Sequence, residues 1–259
     1  MIMLKSPREI DLLREAGLIV AETLKLMREN ARPGVTTAEL DRIAEEHIRG
    51  RGATPAFKGY RVPGVREAYP GSICASINEE VVHGIPGQRQ LKDGDILSID
   101  VGACYKKYFG DAAETIPVGS ISAPAQKLLE VARGALDRAI EVIRPDMELK
   151  DLSAAIQEHA ESHGFSVVRK FVGHGIGRKM HEDPQVPNFV GAGSPAADVR
   201  LPAGTVIAIE PMVNAGSGNV EVLDNGWTVR TRDRKLSAHF EHSVAVTSDG
   251  ARVLTALED

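Results

Sequence analysis

The sequence predicts an α+β fold made of two related halves, with an antiparallel sheet system covered by helices. Three observations carry this prediction. A helix, break, helix unit occurs twice: residues 32–52 align without a gap to residues 144–164, with identities at Arg32/Arg144, Pro33/Pro145, Leu40/Leu152, Glu46/Glu158, His47/His159 and Gly52/Gly164. Each unit is followed by a histidine in a Gly-rich setting, His83-Gly84-Ile85 and then His174-Gly175-Ile176. Finally, each half holds a Gly-containing turn and a β-rich run that meets an acid: Gly94 through Asp100, and Gly204 through Glu210. Such self-similarity is the mark of an internal duplication. The expectation is one domain over residues 1–259, with pseudo-repeat halves of about 1–117 and 118–259.

Each element has a local reason. Ser6-Pro7 reads as an N-cap and first helical position, with Glu9 completing a capping box. Apolar residues at Ile10, Leu13, Val20, Leu24 and Met27 keep helical spacing to Asn30, and Arg32-Pro33-Gly34 breaks the run. Thr36 or Thr37 caps a second helix that extends to Ile48 and stops at Gly50 and Gly52. A third helix is expected over residues 123–143, and a fourth ends at His163-Gly164. The run from Val101 to Asp111 reads as a hairpin or bend that returns a second acid beside Asp100. Residues 183–204, rich in Pro, Gly and Ala, read as a loop.

Composition narrows the function classes. Charged residues at 26% and hydrophobic ones at 42% are ordinary for a globular protein. A net charge of −5 gives no general attraction to nucleic acid or anionic membranes. The local basic run Arg230, Arg232, Arg234 and Lys235 reads as a solvated hairpin edge. Two cysteines, Cys74 and Cys104, are too few for a disulfide framework and lack thiolate metal spacing, so a reducing compartment is expected. No signal peptide is visible and no apolar run reaches membrane-spanning length; the expected location is cytoplasmic.

The chemistry lies in a constellation. Asp100, Asp111, Glu210 and Glu241, with His174, supply four acids and one imidazole at related places in the two halves. Several carboxylates cannot all ionise at one site without cations to offset their repulsion. Oxygen donors plus one nitrogen suit Mn, Fe, Co or Zn dications, and a carboxylate-bridged pair would absorb the charge. Taken singly, each residue has an ordinary reading: a turn-forming Asp, a surface Glu, a structural His. His159 and His163 stand at i and i+4 but are flanked by Glu158, Glu161 and Ser162, which reads as a solvated helix face. The joint pattern is what exceeds these readings.

The strings from Asn78 to Pro86, Gly173 to Gly177, His181 to Pro184, Glu210-Pro211-Met212 and Asp224 to Thr228 closely resemble the type I methionine aminopeptidases, across nearly the whole chain. The resemblance implies the pita-bread (creatinase/aminopeptidase-like) fold and removal of the initiator methionine from nascent chains whose second residue is small. It implies two divalent metals (Co, Mn, Fe or Zn). Asp100 would bind one, Asp111 and Glu241 would bridge both, and His174 and Glu210 would complete the other shell. His83 and His181 match the histidines that meet substrate, and Glu210 is the candidate for proton transfer. The methionine pocket is implied at Phe57, Tyr60, Tyr69, Cys74, Met180 and Trp227. Expected partners are nascent polypeptide N-termini, with transient ribosome contact through the folded surface, a monomeric state, and neither nucleic acid nor membrane.

The sequence also departs from the family pattern. Residues 61–68 make the connection between Tyr60 and Tyr69 about six residues longer than usual, and insertions of this kind favour surface loops. His239 stands where Gln is frequent, and Met180 where a larger aromatic is common.

Overall fold

The computed structural model of the chain describes residues 2–196 and 198–257, so the expectations that include residue 1 and residues 258–259 lie partly outside it. Helix α1 runs Pro7–Asn30, and both bonds of the predicted capping box form between Ser6 and Glu9. Helix α2 is Thr37–Gly50, with Thr36 accepting from the Glu39 amide at 3.2 Å. Helices α3, Ala123–Glu141, and α4, Leu149–Ser162, repeat the arrangement in the second half. Helix α3 stops two residues short of the expected end, at Glu141.

The central strand of the first half, Ile96–Tyr105, pairs antiparallel with Tyr108–Pro117 along its whole length and with Ile73–Ile77 on its other edge. Strict alternation gives this sheet two characters. Ile99, Val101, Ala75, Ala112 and Ile116 turn to one face and pack with Ile19, Val20, Leu40 and Ile48 of α1 and α2. Register puts Cys74 opposite Asp100, Asp100 opposite Ala113, and Gly102 opposite Asp111, so both acids share the other face. The second half repeats the scheme: Val206–Ile209 lies between Gly173–Gly175 and His242–Thr247. Its Ile207, Ile209, Val244 and Val246 pack with Leu128, Leu136, Leu152 and Ile156 of α3 and α4.

Two sequence expectations change. Asp100 does not end its strand; the chain continues in register to Tyr105 and turns at Lys106-Lys107, both at positive φ, as a tight hairpin requires. Glu210 lies immediately past its strand, Val206–Ile209, and Pro211 after it has no amide to offer the ladder. The stretch after His181 is not all loop, since Glu182–Val186 pairs with Gly173–Gly175 and Arg200–Leu201 pairs with Met147–Glu148.

The halves join through their polar faces. The Glu241 amide donates to Ala113 O at 2.8 Å. Ser243 Oγ donates to Asp111 O at 2.7 Å and accepts from the Asp111 amide at 3.2 Å. Thr115 Oγ1 accepts from the His239 amide at 2.8 Å. This seam, residues 111–115 against 239–243, carries an acid from each half.

Candidate metal centre and substrate cavity

Asp111, Glu241 and His174 are buried, and each offers a ligand atom within 4.8 Å of the other two. His174 Nε2 lies 3.5 Å from Asp111 Oδ2 and 3.7 Å from Glu210 Oε1. Its other ring nitrogen, Nδ1, is 2.9 Å from the Gly175 carbonyl, which can only accept, so Nδ1 carries the proton and Nε2 presents a lone pair to the acids. The strand around His174 sets this: Gly175 lies so close to residue 183 that a Cβ there would fall 2.1 Å from the Asp183 carbonyl. Asp100, diagonal to Asp111, completes the cluster.

The electrostatics describe a site lacking positive charge. Among the described residues, the ion-pair partners of these acids are imidazoles only, His174 and His239. Burial raises the Asp100 carboxyl to about 7. Burial first, then the neighbouring acids, holds Asp111, Glu210 and Glu241 well above the ordinary carboxylate range. The imidazoles shift the opposite way, His83, His174 and His181 to about 4 and His239 to about 3, each mainly through burial. Asp100 Oδ1, Asp111 Oδ1 and Glu241 Oε1 are buried without a hydrogen-bond partner. Orphaned buried acceptors are costly, and divalent cations would satisfy all three together. The donor set of carboxylates and one imidazole therefore fits divalent metal.

These acids floor a cavity whose walls are Phe57, Tyr60, Val62, Tyr69, Cys74 and Trp227, with His83 and His181 at its side. Gly102, beside Asp111 in the sheet, makes room for Phe57, whose ring would lie 2.7 Å from a Cβ there. The Tyr69 hydroxyl donates to Gly84 O at 2.7 Å, fixing the chain just after His83, which itself sits at φ 59. A non-Gly residue in that left-handed region is uncommon and marks a side chain aimed by its surroundings. The His83 ring meets Phe171 edge-on at 5.8 Å. His181 lies with its ring centre 4.3 Å from that of His174, and its Nδ1 is 2.7 Å from the Tyr60 hydroxyl.

The structure thus gathers every sequence-derived site residue around one cavity except Met180, which is buried outside the lining. Two residues of the site were not assigned from sequence. Val62 belongs to the inserted segment and lines the cavity. His239 is buried with Nε2 unpartnered and 3.8 Å from Glu210 Oε2. Its signal was available, because His239 stands two residues before Glu241, the spacing that puts both on one face of an extended chain.

The sequence profile of metallopeptidase family M24 matches residues 11–248. The chain is 53% identical over 258 residues to the methionine aminopeptidase of Clostridium perfringens (strain 13 / Type A), covering 100% of both. It is 51% identical over 255 residues to methionine aminopeptidase 1 of Bacillus subtilis (strain 168), covering 98% and 99%. The crystal structure of methionine aminopeptidase from Rickettsia prowazekii superposes with a TM-score of 0.93 at 39% identity, covering 98% of this chain and 100% of that one.

Proposed function

Since the chain belongs to metallopeptidase family M24 and to its methionine aminopeptidases, we propose that its cavity holds two divalent cations and releases the first methionine of nascent chains whose second residue is small. One observation carries the reading: buried acids from both halves, three with orphaned oxygens, meet the lone pair of His174 at the floor of an apolar-walled cavity. Asp100, Asp111, His174, Glu210 and Glu241 would hold the metals, Asp111 and Glu241 doing so from the seam between the halves. Bound there, dications supply Lewis-acid polarisation and a nucleophile at neutral pH.

The protein's own groups do the rest. His83 and His181, kept neutral by burial, can each offer an N–H to the scissile carbonyl oxygen as charge develops on it. Donors held in place before the reaction cost no reorganisation when it occurs. Tyr60 fixes the ring of His181 through their 2.7 Å contact. Glu210, at the floor of the cavity, is our candidate to pass a proton to the leaving amine. The wall of Phe57, Tyr60, Tyr69, Cys74 and Trp227 suits a polarisable, unbranched side chain. Burial, then the charge of Asp100, keeps the Cys74 thiol protonated, so it serves as wall and not as nucleophile.

The test is hydrolysis of Met-Ala-Ser, Met-Ile-Ser and an Ala-Pro peptide across a Mn, Fe, Co and Zn series, with metal counted per chain. Rapid release of methionine from the first peptide alone is expected, at two metals per chain. Preference for the proline peptide would replace the substrate assignment, and full activity at one metal would remove the dinuclear one.

A further inference from the structure

We infer that segment 61–68, acting through Val62, is a specificity-determining wall that restricts the first substrate residue to an unbranched apolar side chain; this deepens the aminopeptidase reading of the cavity and rests on it. The insertion leaves and re-enters the fold at one point: Gly59 donates to Tyr69 O at 2.8 Å, and the Tyr69 amide donates to Tyr60 O at 2.9 Å. Tyr60 and Tyr69 therefore keep their places, and the added residues form a closed excursion between them. That excursion does not project into solvent as the length of the insertion alone suggests. Trp227 Nε1 donates to Glu67 O at 3.1 Å, and Val65 packs over Gly226 so closely that a Cβ there would lie 3.1 Å from Val65 Cγ1.

The side chains sort by chemistry. Val62 and Val65 turn inward and pack with Tyr69, Cys74 and Trp227, while Arg61, Arg66 and Glu67 are exposed. Val62 reaches furthest, lining the cavity that also holds His83 and Asp100. A β-branched side chain is stiff at χ1, so this wall cannot swing aside as an unbranched one could. Methionine and norleucine, unbranched, can pass such a wall; leucine, branched at Cγ, must crowd against it. A pocket contact of this size discriminates by about tenfold or more.

The experiment compares kcat/KM of the metal-loaded enzyme for Met-Ala-Ser, norleucine-Ala-Ser and Leu-Ala-Ser, in wild type, Val62→Ala and Val62→Thr, with bound metal and Tm measured on each. Val62→Ala is expected to lower the Met-over-Leu ratio by about tenfold at unchanged metal content. Val62→Thr keeps the shape and adds a hydroxyl, and should lower kcat/KM for methionine and norleucine alike by about tenfold. A Met-over-Leu ratio unmoved in folded Val62→Ala overturns the inference. If Val62→Ala does not fold, unchanged methionine turnover in Val62→Thr overturns it instead. Failure of the wild type on every methionine and norleucine peptide overturns the aminopeptidase reading itself, and is seen before any substitution is compared.

Discussion

Asp111 and His83 are both buried polar residues beside the same cavity, yet their surroundings assign them different work. Asp111 has an oxygen with no partner and neighbours that repel its charge, so a cation is its only adequate partner. Asp111→Ala should lose most bound metal together with measurable turnover, as metal analysis and peptide hydrolysis will check; near-normal turnover at saturating metal would remove it from the ligand set. His83 stands apart from the acid cluster, its ring against Phe171. His83→Ala should keep its metal and fold while kcat falls by about a hundredfold, the loss typical of one preorganised donor. Metal loss in that variant would make His83 a ligand. The acids and histidines were legible as residue types at matching places in two halves. Val62 was not, because one Val in a surface-like insertion carries no chemical signature, and only the backbone path turns it inward. Met180 shows the converse: the family resemblance implied it in the pocket wall, yet it is buried and does not line the cavity.

At the scale of elements, the site depends on how closely α1 lies on the hairpin that carries the first two acids. Gly110, adjacent to Asp111, meets α1 at Gly17, and a Cβ on Gly110 would fall 2.7 Å from the Gly17 amide nitrogen. Neither partner is a flexible side chain, so the strain cannot be absorbed locally. Gly110→Ala should cost about 1–3 kcal/mol of stability, read from urea unfolding of the loaded enzyme. An unchanged midpoint would mean that helix and hairpin can separate without loss. The helices themselves were readable to within a few residues, since caps and periodic apolar faces are local. Strand ends were less so: Asp100 and Glu210 occupy equivalent places in sequence, but one hairpin extends beyond its acid while the other strand ends at Ile209. Pairing partners distant in sequence decide such endings, and the seam between residues 111–115 and 239–243 has no counterpart in any local pattern.

Across the whole molecule, folding brings together acids that the unfolded chain keeps apart, and pH exposes the consequence. Asp100 has its folded pKa raised from 3.8 to about 7, and Asp111, Glu210 and Glu241 are raised well above their unfolded values. Raised acids make the folded state the better proton binder, so their contribution is complete at low pH and is lost as pH rises through the folded pKa. His83, His174, His181, His239 and His242, lowered from 6.5 to between about 3 and about 4, act in the opposite sense, but only below 6.5. Above that value the acids act alone. The chelator-treated protein should therefore lose Tm as pH rises from about 6.5 through the Asp100 value of about 7, and the metal-loaded protein should not, as paired thermal melts will show. A flat profile without metal would mean that the acids are neutralised by something other than cations. The seam has one more consequence. A site shared by two identical halves would look the same to a peptide entering from either end. Here one half presents the lone pair of a strand histidine to the acids, and the other lifts its histidine out of the cluster on a left-handed turn. That single divergence gives the cleft a head and a tail, so that a peptide fits it in one chain direction and not the other.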